Sequence, residues 1–215
     1  MFRHLVRRAE AAFDFKGRRG RVVDFGCSYG HLGMLFQAAG WEVIGVDRAP
    51  RIVAYHRAQG TFPAYSDLDV PDIPDGSVDV IAAIDVLCYL EDPIHFLRLA
   101  HRKLATPGVV LLRVPNRNQY LRALAAMQRV LPVNLLRRVE CDHKSYWSAK
   151  TVRYAAKEAG FDEVRILRRE RGYWYPPLRK ALHGITQFVS YATGGLVDLG
   201  TVFHAELWER PPSAG

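Results

Sequence analysis

The stretch VVDFGCSYGHLGMLFQAAGWEVIGVD, residues 22–47, decides the fold. Val22, Val23 and Phe25 form an apolar run that stops at Gly26, and with Gly30 close behind the backbone can bend sharply where a ligand approaches. Leu32, Leu35, Phe36 and Ala39 then recur at helical spacing until Gly40 ends the helix. A second strand, Glu42 to Val46, ends on Asp47, whose carboxylate can accept two hydrogen bonds from vicinal ribose hydroxyls. Asp47 lies 23 residues after Asp24, near the spacing of roughly 20 expected of a nucleotide-binding βαβ unit.

A nicotinamide dinucleotide fingerprint, G-x-G-x-x-G, fails in both registers. Counting from Gly26, the third and sixth positions are Ser28 and His31; counting from Ser28, Gly30 and Gly33 fit but the first glycine is lost. The pattern that fits is D-x-G-x-x-x-G, Asp24 to Gly30, with an acid at the strand end. A carboxylate beside two phosphates is repelled, whereas one near an ammonium or sulfonium is attracted. With these residues the chain resembles the class I S-adenosylmethionine-dependent methyltransferases, whose first motif usually reads D/E-x-G-x-G-x-G. Ser28 stands where that motif has its middle glycine.

Later segments fall in the order the resemblance predicts. Asp67 and Leu68 resemble the family's third motif, where an acid accepts from the adenine amino group and the next N–H caps the ring. DVLCYLEDP, Asp85 to Pro93, resembles the stretch DVLEHLPDP that lines the methionine end of the cofactor, with Cys88 and Tyr89 replacing the usual glutamate and histidine. Pro115 and Asn116 match a VPN segment, and DHKSYWSAKTVRYAAKEAGF, Asp142 to Phe161, is similar to a signature of the type 11, type 23 and ubiquinone-pathway groups. The resemblance implies S-adenosylmethionine as cofactor, S-adenosylhomocysteine as product, and methyl transfer to oxygen, nitrogen or carbon of a small molecule. Its expected cofactor residues are Asp24, Gly26, Ser28, Gly30, His31, Asp47, Arg48, Asp67, Leu68 and Asp85, with His31 toward the cofactor's carboxylate end.

Strand and helix patterns alternate: strands at 21–25, 42–46, 61–65, 78–84, 108–114, 163–169 and 201–209, helices at 31–39, 50–58, 93–104 and 148–159. The alternation predicts an α/β fold, a mostly parallel sheet with helices on both faces. By the resemblance it is a Rossmann-like methyltransferase sheet of seven strands, with an antiparallel last strand slotted between the fifth and sixth. At 215 residues and 49% apolar content, the chain reads as one domain, 1–215. Residues 1–20 carry six Arg and Lys, with Phe2, Leu5, Val6, Ala9 and Phe13 at helical spacing. They predict an N-terminal helical cap over the cofactor edge, not a secretory signal.

Segments 118–139 and 173–199 stand outside the shared core and are the expected substrate-side helical insertions. Ala181 to Val197 contains no Asp, Glu, Lys or Arg, which suits an apolar substrate pocket, a core helix or a membrane-surface segment. It is too short and too interrupted to span a bilayer. The formal net charge is +8, with arginines gathered around Arg113–Arg138 and Arg165–Arg179. This arginine-rich surface could steer an anionic substrate or an acidic lipid surface, and no nucleic-acid-binding signature accompanies it. Three cysteines, Cys27, Cys88 and Cys141, show no C-x-x-C spacing, so neither zinc nor a disulfide framework is expected and a cytoplasmic setting fits. Nothing in the sequence indicates an oligomeric state.

For a proton-bearing acceptor a base is needed, and His143, with Asp142 and Tyr146 nearby, is the expected one, Tyr146 assisting. A structural histidine pinning its loop is the alternative. His56, His95 and His101 read as surface residues on helices. Two other functions stay open at this point: an NAD-linked oxidoreductase on a similar sheet, and a non-catalytic methyltransferase-like partner subunit.

Overall fold

The computed structural model describes residues 2–13, 17–115, 143–167 and 202–210. The expectations for Asn116, the insertions at 118–139 and 173–199, Cys141 and Asp142 lie outside the described residues. In chain order the elements are α1 (Arg3–Ala12), β1 (Arg21–Phe25), α2 (His31–Ala38), β2 (Glu42–Val46), α3 (Pro50–Gln59), β3 (Ala64–Tyr65) and β4 (Val78–Ile84). A 3-10 turn (Leu87–Tyr89) follows, then α4 (Pro93–Lys103), β5 (Leu104–Pro115), α5 (Ala149–Glu158), β6 (Glu163–Leu167) and β7 (Val202–Trp208).

The seven strands form one sheet in the order β3-β2-β1-β4-β5-β7-β6. β7 runs antiparallel to both β5 and β6, as expected of the last strand, and the other pairings are parallel. Side chains alternate between two layers because strand residues point to opposite faces. Val22, Val80, Ala82, Val109, Leu111 and Trp208 face the layer of α1, α2 and α3, whereas Val23, Ile81, Ala83, Val110, Leu112 and Leu207 face α4 and α5.

Helix ends follow local chemistry. Pro50 and Pro93 open α3 and α4, where a missing N–H costs no helical bond. Asp92 caps α4 by accepting from His95 N at 2.8 Å, and Ser148 with Thr151 forms a capping box on α5.

Two strand bounds are corrected. β3 holds only Ala64 and Tyr65 of the expected 61–65: Phe62 turns into the core and Pro63 has no N–H for a ladder. β5 begins at Leu104 rather than 108, pairing with Val78 before a register shift; Pro107 and Gly108 break the apolar pattern that would have revealed it. The expected N-terminal helix is α1, which buries Leu5, Val6 and Ala9 in the cluster of Val109, Leu111 and Trp208. The sheet face over β5 and β7 would otherwise be bare apolar surface, and covering it stabilises by about 1.5 to 3 kcal/mol per large side chain.

Candidate functional site

The chain runs outward from β1 through β2 to β3, then crosses back to β4 and outward through β5, so strand order reverses between β1 and β4. Ligands of open α/β sheets sit beyond the strand ends at such a point. A cleft of about 500 Å³ lies there, lined by Phe25, Gly26, Val46, Asp47, Arg48, Ser66, Asp67, Ile84, Asp85, Val86, Tyr89 and Leu90.

The glycine turn is built against this cleft. The N–H groups of Gly26 and Cys27 both donate to Val46 O, at 2.7 and 3.1 Å, tying the turn to the end of β2. Gly26 has φ of 78°, and a Cβ there would lie 2.4 Å from Val86 Cγ2 on the opposite wall. Ser28, in place of the family's glycine, takes φ of 46°, at a cost on the order of 1 kcal/mol for a side-chain-bearing residue. Two side chains hold it there. Its N–H donates to Asp47 Oδ2 at 3.0 Å, and its carbonyl lies 2.7 Å from His56 Nε2.

A carbonyl can only accept, so Nε2 carries a proton, and Nδ1 lies 2.6 Å from the Thr61 hydroxyl. His56 is 1% exposed, which corrects the expectation of a surface residue. It sits one turn after Ile52, and that spacing places both on the buried face of α3. A Cβ on Gly30 would come within 2.8 Å of His56 Cε1, so the turn's second glycine makes room for this ring.

Three of the expected acids line the cleft. Asp47 accepts from Ser28 N and, through Oδ1, from Ala49 N at 3.0 Å. A carboxylate has about four acceptor sites, so each oxygen keeps capacity for a hydroxyl of a bound diol. Asp67 Oδ1 accepts from Asp69 N at 3.0 Å, and the side chain of Leu68, 1% exposed, anchors this loop in the core. Asp85, at φ of 58°, pairs through Oδ2 with Arg113 Nη1 at 2.5 Å, and its N–H donates to Arg113 O. Arg113 is therefore a buried residue of β5, 5% exposed, and not part of the basic surface in which the sequence placed it.

Of the expected cofactor residues, Asp24, Ser28, Gly30, His31 and Leu68 are not among those that line the cleft. Asp24 is buried and accepts from Gly33 N at 3.0 Å, acting as a cap for the first turn of α2. Burial pushes its carboxyl up to about 7, the Gly33 N–H opposes this, and the Asp47 charge adds to it. The charge argument that tied Asp24 directly to a cationic ligand thus loses its geometry; the acid positions the helix. His31 is exposed on the first turn of α2.

The segment carrying His143 is docked on the turn after β4. The N–H groups of Lys144 and Ser145 both donate to Cys88 O, at 2.8 and 3.2 Å, and Lys144 Nζ pairs with Glu91. This places His143 Nε2 3.2 Å from Tyr89 Oη, with the two rings edge-on at 4.9 Å. Tyr146 is 40% exposed and does not line the cleft. Tyr89 does, and sequence reasoning noted it only as a departure from a motif; a pairing across 54 positions leaves no local signal.

The family model described as a methyltransferase domain, type 23, matches residues 1–166. The ubiquinone biosynthesis O-methyltransferase of Cupriavidus pinatubonensis is 28% identical over 167 residues, covering 74% of this chain and 65% of that protein. Its namesake from Bordetella pertussis is 28% identical over 179 residues, 79% of this chain and 70% of that one. The chain thus spans about two thirds of the length of the curated relatives it matches. Among solved structures, an S-adenosylmethionine-dependent methyltransferase from Archaeoglobus fulgidus aligns at TM-score 0.62 and 20% identity, over 96% of this chain and 92% of that one. One from Mesorhizobium loti aligns at 0.59 and 17%, over 94% and 96%. At these identities the structures speak for the fold.

Proposed function

The chain belongs to the methyltransferase-domain family, and from that premise we propose that it transfers a methyl group from S-adenosylmethionine to a small-molecule acceptor. The observation that carries this reading is the cleft at the strand reversal, lined by Gly26 of the turn and by Asp47 at the end of β2, with Ser28 N donating to the Asp47 carboxylate. The residues fit the cofactor: Asp47 keeps acceptor capacity for the ribose, Ser66 and Asp67 border the place for the base, and Asp85 with Val86 borders the methionine end. When bound, S-adenosylmethionine supplies an electrophilic methyl group on a sulfonium.

What the chain adds is alignment and exclusion of water from the reacting pair. Apolar lining by Phe25, Ile84, Val86 and Leu90 suits that work. The relatives' names favour oxygen among the three acceptor atoms, and His143 is the base for its proton. In this reading the enzyme works in the cytoplasm, where cysteine thiols stay reduced. Among the described residues no helix is long and apolar enough to cross a membrane.

The test is calorimetric titration with S-adenosylhomocysteine, beside a screen of candidate acceptors with methyl-labelled cofactor. Binding of the product and label on a small molecule are expected. Absence of binding to either form of the cofactor overturns the reading.

A further inference from the structure

We propose that Tyr89 is a catalytic residue of this chain, which takes the proton of a hydroxyl acceptor and relays it to His143. The inference rests on the methyl-transfer reading above and goes beyond it by placing a phenol between base and acceptor. His143 is not among the residues that line the cleft, whereas Tyr89 is, and Tyr89 Oη stands 3.2 Å from His143 Nε2. A base that acts on an acceptor in this cleft therefore reaches it through the tyrosine.

The pair is held by more than its own bond. Cys88 O receives two backbone N–H groups from the His143 segment, Ser145 Oγ lies 3.5 Å from Leu87 O, and Lys144 pairs with Glu91. Ser145 Oγ also accepts from the indole N–H of the buried Trp147 at 2.8 Å, which anchors the segment in the core. Backbone and side chain together fix the separation of the two rings. Pre-organisation of this kind is what a proton relay needs and what a chance surface contact lacks.

The step balances as follows. As the acceptor oxygen takes the methyl group, its O–H bond breaks and the proton passes to Tyr89 Oη. The Tyr89 proton passes to the neutral Nε2 of His143, and the half-buried imidazolium returns it to solvent. The sulfur keeps the electron pair of the broken S–C bond and leaves as a thioether. Neither residue changes its net protonation over the cycle. The arrangement fits an acceptor bearing a weakly acidic hydroxyl, a phenol or catechol, because a phenol oxygen is a competent proton carrier only toward a partner of comparable acidity.

The experiment uses the full chain, methyl-labelled S-adenosylmethionine and a panel of simple phenols and catechols, with Tyr89→Phe, His143→Ala and the double variant. Tyr89 is 41% exposed, so Tyr89→Phe is expected to fold and to bind S-adenosylhomocysteine as the parent does. At least one phenol is methylated by the parent. Each single variant loses about 100-fold in kcat with KM for the cofactor little changed, and the double variant falls no further. The ¹⁵N resonance of His143 Nε2 in the S-adenosylhomocysteine complex shifts in Tyr89→Phe, reporting the lost hydrogen bond. Turnover of Tyr89→Phe within threefold of the parent, multiplicative losses in the double variant, an unmoved His143 resonance, or a product-binding protein that methylates no phenol each overturns the relay. Failure of the parent to bind S-adenosylhomocysteine overturns the methyl-transfer reading itself, and the two failures are thereby distinct.

Discussion

His56 Nε2 lies 2.7 Å from the carbonyl of Ser28, so a buried side chain of α3 holds the residue of the cofactor turn that takes a positive φ without being glycine. The opposite end of the same residue is held by Asp47 Oδ2. A serine at φ of 46° would otherwise relax toward ordinary backbone. The turn's shape is therefore borrowed from α3 and β2 and is not intrinsic to its sequence.

Replacing His56 tests this. His56→Ala removes a buried ring stacked on Phe62 at 4.5 Å and its hydrogen bonds to Ser28 O and the Thr61 hydroxyl, and is expected to cost about 2 to 4 kcal/mol of stability. His56→Phe keeps the ring and loses the bonds. Both variants should bind S-adenosylhomocysteine about 10-fold more weakly, roughly 1.4 kcal/mol, by isothermal titration. Parent-like affinity in His56→Phe would show that the tether does not order the turn.

Gly26 makes a steric prediction with two separable parts. In Gly26→Ala the new methyl meets Val86 Cγ2 at 2.4 Å, and the backbone at φ of 78° becomes strained in addition. Loss of cofactor binding and a drop of about 1 to 3 kcal/mol in unfolding free energy are expected. Adding Val86→Ala removes the clash and leaves the φ penalty, so denaturant unfolding should recover part of the loss and never all of it.

Much of this site was legible because its determinants are local. The strand, glycine turn and second strand of residues 22–47 lie within one βαβ unit, and the place of Asp47 follows from strand length alone. Asp67 and Asp85 came through the resemblance of their segments to family motifs. What escaped depends on long-range contact or on the side to which a side chain turns. Asp24 sits on the correct strand, but whether its carboxylate meets the ligand or the N–H of Gly33 is set by the approach of α2. His56 carried a signal, the four-residue spacing from Ile52, though a helix as polar as PRIVAYHRAQ masks it. Arg113 looked like surface charge because its partner, Asp85, is 28 positions away.

Asp47 should dominate cofactor affinity. Asp47→Ala removes the acceptor for a ribose diol and releases Ser28 N and Ala49 N together. Hydrogen bonds to a charged acceptor are worth roughly 1.5 to 3 kcal/mol, or about 10- to 150-fold in affinity. The rise in melting temperature on adding S-adenosylhomocysteine should accordingly shrink to near nothing. Asp47→Asn, which keeps one acceptor oxygen, should fall between parent and alanine. Equal shifts in all three proteins would remove Asp47 from the site.

Two buried groups make opposite contributions to stability as pH changes. The Asp24 carboxyl is raised from 3.8 to about 7, chiefly by burial, so between those values the folded state holds a proton the unfolded state has released. Stability from Asp24 is present below pH 3.8 and is lost as pH rises toward 7. His204 on β7 is lowered from 6.5 to about 4, first by burial and then by His4, Arg113 and Arg8. There the unfolded state binds the extra proton, and stability is gained as pH rises from 4 to 6.5. Urea unfolding from pH 4 to 8 separates them. Subtracting the Asp24→Asn curve from the parent's should leave a term that falls with pH by on the order of 4 kcal/mol. Subtracting the His204→Gln curve should leave one that rises by on the order of 3 kcal/mol. A flat Asp24 difference would mean that the Gly33 N–H and the dipole of α2 stabilise the carboxylate enough to offset its burial, and Asp24 would then carry a full charge beneath the cofactor turn at neutral pH.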